Sequence, residues 1–312
     1  MSVRIETYTP VQRDTWNQFV KEAKNGLFLF HRDYMDYHAD RFEDCSLLFF
    51  KENELQAMLP ASKNGDVLTS HAGLTFGGLL LSRRATVSFV LAAFEQLLDL
   101  LKERNFRQFA YKAIPHIYHQ QPAAEDLYAL FRYGATLYRR DISSVIDLRN
   151  KPSYTKGTKY NLSKARKAGL LVKESNDFAT FMKIEENLLR TKYEAKPTHS
   201  AQEISMLAKR FPENIKLYLV YHKETCLGGT IVFQTADVIH TQYIGITEEG
   251  KEMGALDVVI DHVLQNTSQK CRWFSFGIST TEEGKALNEG LIKNKESFGA
   301  RAIVHDFYKI DL

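Results

Sequence analysis

The chain has little of what would tie it together covalently or anchor it in a lipid. Among its 312 residues only three are cysteine, Cys45, Cys226 and Cys271, odd in number and far apart. No CxxC or Cys/His ligand spacing occurs, which argues against a disulfide framework and a structural zinc site. Each cysteine then reads as a small core residue, and the setting implied is a reducing cytoplasm. Proline is scarce, at seven, which suits regular structure with short loops. No apolar run approaches the roughly 18–20 residues that a membrane helix needs. The opening MSVRIETYTPVQRDTW has no basic stretch followed by an apolar one, so no signal peptide is expected. An excess of one charge is missing too. The 41 Lys and Arg against 38 Asp and Glu leave +3, too little for a general polyanion binder such as a DNA-coating protein. Walker A, GxGxxG and GxSxG motifs are absent, and His116 with His119 makes only a lone HxxH, so no metal is expected.

What remains is an ordinary globular composition, 44% hydrophobic and 25% charged, in a chain long enough for two domains. The second half is the clearer. Residues 178–193 carry apolar side chains at a helical period, and 215–224 are rich in β-branched and aromatic residues, as a strand is. GGTIVFQT and VIHTQYIGIT follow as a pair of strands. A helix is expected over 255–270, a buried strand in CRWFSFGIS, a helix over 284–299 and a last strand over 301–310. The first half repeats this order: a helix with its entry loop within 10–39, a strand–turn–strand over 45–62, more sheet over 66–81, a helix over 85–103, a strand over 106–115, a helix over 125–133 and a strand over 135–148. Composition shifts at 149–158, RNKPSYTKGT, which divides the chain into domains 1–150 and 151–312.

This order resembles the GNAT acyltransferase fold, and its doubling resembles the tandem FemAB-like aminoacyltransferases and their acetyltransferase relatives. SHAGLTFGGLL, KYNLSKARKAGLLV, and FSFGIS followed by NKESFGAR carry the likeness. The fold implied is α/β (α+β): two tandem GNAT-like domains, each a mixed sheet with an antiparallel hairpin flanked by helices. The resemblance also implies an acceptor-side first domain without a donor site and a second domain holding the reaction cavity. Lys295, three residues before Phe298-Gly299, matches the family lysine that lies in that cavity and is implicated in transfer.

The residues themselves point to anions. From Leu148 to Lys173 no acidic residue occurs, while basic ones recur. On a helix, Lys156, Lys159, Lys164, Arg166 and Lys167 share about half the circumference, with Leu162, Ala165 and Ala168 opposite. Such a band, with Tyr160 among it, suits phosphate-bearing ligands, although a solvated helix face reads the same way. Lys295 can stabilise a developing oxyanion, or merely complement a helix end. On the second hairpin, strict alternation places His240 with Gln242 and Tyr243 with Thr241 on opposite faces. Tyr243 is a wall or proton donor there, or simply core. Glu185 and Glu186 both offer a base. The expected pyrophosphate loop reads EEGKEMGALD, with wrong glycine spacing and unwanted carboxylates.

The leading expectation is an acyltransferase making an amide, by N-acyl, acetyl or aminoacyl transfer, on a phosphate-bearing small molecule or cell-envelope glycan precursor. Lys295 and Tyr243 would be catalytic, and Lys164, Arg166, Lys167, Tyr160 and His240 would bind substrate. No cofactor would be resident. The co-substrate is an acyl-CoA or an aminoacyl-tRNA. The alternative is a non-catalytic double-GNAT module that binds an anionic partner through helix 156–167.

Overall fold

The computed structural model describes residues 2–193, 195–267 and 271–312. The last three residues of the helix expected over 255–270 lie outside these. Two compact units emerge: Met1–Asp141 with Glu282–Ala286 and Val304–Leu312, and Ile142–Thr281 with Leu287–Ile303.

The first unit begins with β1 (Val3–Thr7), α1 (Arg13–Glu22), and the hairpin β2 (Leu47–Lys51) and β3 (Glu54–Leu59). Then come β4 (Val67–Thr69), β5 (Leu80–Leu81), α2 (Val87–Glu103), β6 (Gln108–Lys112), α3 (Glu125–Arg132) and the start of β7 (Thr136–Asp147). Thr86 caps α2 by accepting from Phe89 N–H at 3.3 Å. Beyond the cap, Phe89, Val90, Phe94, Leu97 and Leu101 form one apolar stripe, in a core with Leu47, Phe49, Ala57 and Leu59 of the hairpin.

The second unit continues with α4 (Lys156–Lys167), β8 (Leu170–Ser175), α5 (Phe178–Tyr193), α6 (Ala201–Arg210), β9 (Ile215–His222), β10 (Thr225–Gln234) and β11 (Val238–Ile246). It ends with α7 (Glu248–Met253), α8 (Ala255–Thr267), β12 (Trp273–Ile278) and α9 (Glu289–Ser297), before β13 (Arg301–Asp311). Its strands lie in the order β8, β9, β10, β11, β12, β7. Neighbours run antiparallel except β11 and β12, which are parallel. Ile239, Ile246 and Phe274 pack with Val259, Ile260 and Val263 of α8 on one face. Helix α5 packs on β10 and β11, burying Phe178, Phe181 and Met182. The last helix starts at Glu289, later than expected, because Asn288 caps it by accepting from Leu291 N–H at 3.0 Å.

The two hairpins are the same device. Each has a two-residue loop whose first residue is left-handed, Glu52 at φ 55° and Lys223 at φ 55°. Each carries a one-residue bulge in its second strand, at Gln56 and at Leu227. The bulge carbonyl then accepts a backbone N–H, from Ser82 at 2.9 Å in the first unit and from Thr247 at 2.9 Å in the second.

Candidate active site

Strands β11 and β12 pair only through Val238↔Trp273, Ile239↔Phe274 and His240↔Ser275. Beyond this point β11 runs on to Ile246, while β12 turns at Gly277 so that Ile278 pairs with Ser143 of β7. The strands therefore splay, leaving β11 backbone on that side for a ligand. His240 stands at the fork, its Nδ1 3.2 Å from Ser275 Oγ. Gly277 sits at φ 74°, and a Cβ there would come within 3.2 Å of His240 Cε1. Glycine at this position therefore serves both the backbone turn and the room for the imidazole.

A second bulge decides which side chains meet. Tyr243 lies opposite Ile231, Thr241 opposite Val232 and His240 opposite Phe233, so Gln242 is the extra residue. Strict alternation would set His240 and Tyr243 on opposite faces. The bulge reverses the phase between them and brings both to the face that α5 covers.

On this face Tyr243 is buried, its hydroxyl accepting from His199 N–H at 3.2 Å and lying 2.7 Å from His199 Nδ1. Burial raises its pKa. Glu185 of α5 lies over Gly245, and burial pushes its carboxyl up to about 7. Glu186, the other candidate base, is exposed and borders a cavity of 720 Å³ that His199, Arg190 and Lys196 also line.

Lys295 is buried in the last turn of α9, yet it does not serve its own helix end. Its ammonium donates to Gly277 O at 2.9 Å and Ile278 O at 2.7 Å, where β12 turns away. Burial lowers its pKa to about 8. Among the described residues two of its three N–H donors are thus used, and one is left over.

The basic helix forms as the spacing predicts. Thr155 caps α4 by accepting from Thr158 N–H at 3.3 Å, and Thr158, Leu162 and Ala165 are buried. Thr155 N–H donates to Ser297 O at 3.0 Å, and the Thr158 hydroxyl donates to Ser297 Oγ at 3.0 Å, which fixes α4 to the end of α9. Lys156, Lys159, Lys164 and Lys167 are exposed, as is Tyr160. Arg166 is partly engaged, donating to Asp261 Oδ2 at 3.1 Å. An open depression of 470 Å³ lies along Lys159, Ser163, Arg166 and Lys167.

Where a pyrophosphate loop would lie, the chain forms α7. Thr247 Oγ1 accepts from Gly250 N–H at 3.1 Å, and Glu248 and Glu249 occupy the first turn. A capped, acidic turn is a poor phosphate cradle. Ser275 and His199 escaped the sequence reading. The Gly277 kink in FSFGIS was a signal for Ser275, whereas His199 reaches Tyr243 only through the fold. His119 is structural, its Nε2 3.1 Å from Ile114 O. No group of three or more His, Cys, Asp or Glu among the described residues could hold a metal ion. None of the described helices is long and apolar enough to cross a membrane.

Residues 153–284 match the family model described as an acetyltransferase (GNAT) domain. No curated protein matches the chain. Among solved structures, the chain is similar to FemX with a TM-score of 0.69 at 10% identity, covering 99% of this chain and 97% of that one. It is similar to L-PGS from Bacillus licheniformis with a TM-score of 0.63 at 13% identity, covering 96% and 91%. A tandem GNAT protein from the clavulanic acid biosynthesis pathway gives 0.51 at 13% identity, covering 99% and 98%. At these identities the likeness establishes the fold. The acyltransferase class rests on the matched GNAT domain.

Proposed function

Starting from a chain that carries a GNAT acetyltransferase domain at 153–284 and has the fold of FemX and a tandem GNAT protein, we propose that it transfers an acyl group to an amine on a phosphate-bearing acceptor, with the reaction in the splay of the second unit. The observation that carries this reading is the Lys295 ammonium, held by Gly277 O and Ile278 O at the splay with one N–H donor to spare. That donor would meet the acyl oxygen as negative charge develops, an interaction worth a few kcal/mol where water is excluded. Tyr243 would protonate the leaving group, and His240 would shape the fork. Lys164, Lys167 and Tyr160 on α4, with Arg166 beside them, would hold the phosphates.

Two donors fit the resemblance, an acyl-CoA and an aminoacyl-tRNA. The capped α7 in place of a phosphate loop favours the RNA-borne donor. The acceptor we favour is a nucleotide-linked or lipid-linked cell-envelope glycan precursor. The first unit would contribute no donor site, because its own chain fills the corresponding fork. There residues 70–79 loop out between β4 and β5, and Lys112 Nζ donates to His71 O, Ala72 O and Leu74 O at 3.1, 2.9 and 2.7 Å.

Calorimetry and thermal shift against CoA, acetyl-CoA, bulk aminoacyl-tRNA and UDP-sugars test this reading, with Lys295→Ala and Lys295→Arg in parallel. Saturable binding of aminoacyl-tRNA and a UDP-sugar is expected, with transfer lost in both variants and binding kept in the arginine one. A folded protein that binds none of these would favour instead a module that holds an anionic partner through Lys156–Lys167.

A further inference from the structure

The face of β11 that carries His240 and Tyr243 holds one more ionisable group, which neither the phosphate strip nor the oxyanion donor uses. Glu185 points from α5 into a notch at Gly245. A Cβ on residue 245 would stand 2.8 Å from Glu185 Oε2 and 3.4 Å from the Phe181 ring, so glycine leaves room for the carboxylate where a side chain would push it aside. Glu185 is 8% exposed. Among the described residues none donates a hydrogen bond to its carboxylate, and burial alone shifts its pKa. A carboxylate in that position costs stability unless something else is gained. Glu186, its neighbour in sequence, stays in solvent.

We propose that Glu185 is the general base that takes the proton from the attacking amine, with Gly245 as the notch that admits it. This role rests on the acyl-transfer reading above. As the amine lone pair forms the new C–N bond, one N–H proton passes to Glu185. The C–O bond of an aminoacyl ester, or the C–S bond of a thioester, breaks with its electron pair on the leaving atom. Tyr243 supplies that atom with a proton and is resupplied through His199, so one proton moves overall from amine to leaving group. The pair obeys a simple rule for acid and base assignment: one carboxyl poised near neutrality, and one phenol kept protonated by burial. The titratable group facing Glu185 is Tyr243 on β11, which His199 contacts in turn, and on its own helix Lys183 and Glu186 point to solvent.

The test uses the full chain with Glu185→Gln, Glu185→Ala and Glu186→Gln. Two readouts are needed. The first is a carboxyl ¹³C titration of glutamate-labelled protein, which needs no substrate. The second is transfer from bulk aminoacyl-tRNA or acetyl-CoA to glucosamine 6-phosphate, a phosphate-bearing amine. One resonance should titrate near 7 and vanish in Glu185→Gln. That variant should lose about 100-fold or more in kcat with KM little changed, and the ascending limb of the pH profile should disappear. Formate should restore part of the rate in Glu185→Ala, which a merely structural role would not allow. Glu186→Gln should behave as wild type. A Glu185→Gln enzyme with the wild-type rate and pH limb overturns the base role while the acyl-transfer reading survives. A wild type that transfers from neither donor, with the resonance still titrating near 7, sinks the acyl-transfer reading. The base role falls with it, leaving Glu185 a buried acid only.

Discussion

Burial acts in opposite directions on Lys295 and Glu185, two ionisable groups of the candidate site. It lowers the Lys295 ammonium to about 8 and raises the Glu185 carboxyl to about 7, so both come within reach of neutral pH. The glutamate makes a stability prediction that needs no substrate. Between its unfolded value of 4.5 and its folded value of about 7, the native state holds a proton that the unfolded chain has released. Stability therefore falls as pH rises through that window, by roughly 3 kcal/mol in all at about 1.4 kcal/mol per unit. Glu185→Gln removes the fall. Urea melts at pH 4.5 should show little difference between variant and wild type, and melts at pH 8 should show the variant as the more stable. Equal melts at pH 8 would mean that the carboxylate is better solvated than its place over Gly245 implies. Tyr243, by contrast, was legible in the sequence only as a residue type. Its partner His199 was not, because hydrogen bonds between residues remote in the chain leave no local periodicity.

The basic helix is the element that sequence alone defined best. Its span of Lys156–Lys167 and its Leu162/Ala165 face follow from local chemistry, whereas the Thr155 cap emerged with the structure. The diversion of Arg166 to Asp261 also needed the fold. The strand β11 is the opposite case. A one-residue bulge at Gln242 leaves no signature in a run of alternating residues, yet it decides whether His240 and Tyr243 share one face of the strand. Helix α7 was hidden in a similar way, since EEGKEMG reads as a failed phosphate loop until the Thr247 cap is seen. For α4 the prediction concerns charge. Lys164→Glu with Lys167→Glu should leave stability within about 0.5 kcal/mol, because both side chains are in solvent. Binding of bulk aminoacyl-tRNA should weaken at low salt. The slope of log K against log salt should become shallower by about 1.4, the loss of two phosphate contacts on a single strand. An unchanged slope would show that α4 does not track the phosphates.

At the scale of the whole chain, the repeat shows how one device was opened in one unit and closed in the other. The parallel pairs correspond residue by residue: Val67↔Gln108, Leu68↔Phe109 and Thr69↔Ala110 in the first unit, Val238↔Trp273, Ile239↔Phe274 and His240↔Ser275 in the second. The antiparallel pairs correspond as well, with Ala57↔Leu81 matching Gly228↔Ile246 once the hairpin bulges are aligned. Strands β4 and β5 are thus two pieces of one strand. The ten residues 70–79 stand where the second unit has the four residues 241–244, Gln242 among them. Two positions beyond the last parallel pair stands Lys112 in the first unit and Gly277 in the second. The glycine leaves the fork open beside His240. The lysine closes its counterpart by binding three carbonyls of the inserted loop, and burial lowers its pKa to about 8. If that closure is purely structural, Lys112→Met should cost about 2 kcal/mol, because the carbonyls lose a charged donor. Tm should drop by about 5 °C. Transfer activity per folded molecule, and binding of aminoacyl-tRNA and UDP-sugars, should stay at wild-type values. A change in ligand binding at unchanged stability would instead make the Lys112 ammonium part of a binding site, and the first unit would have to be counted among the substrate-holding parts of the chain.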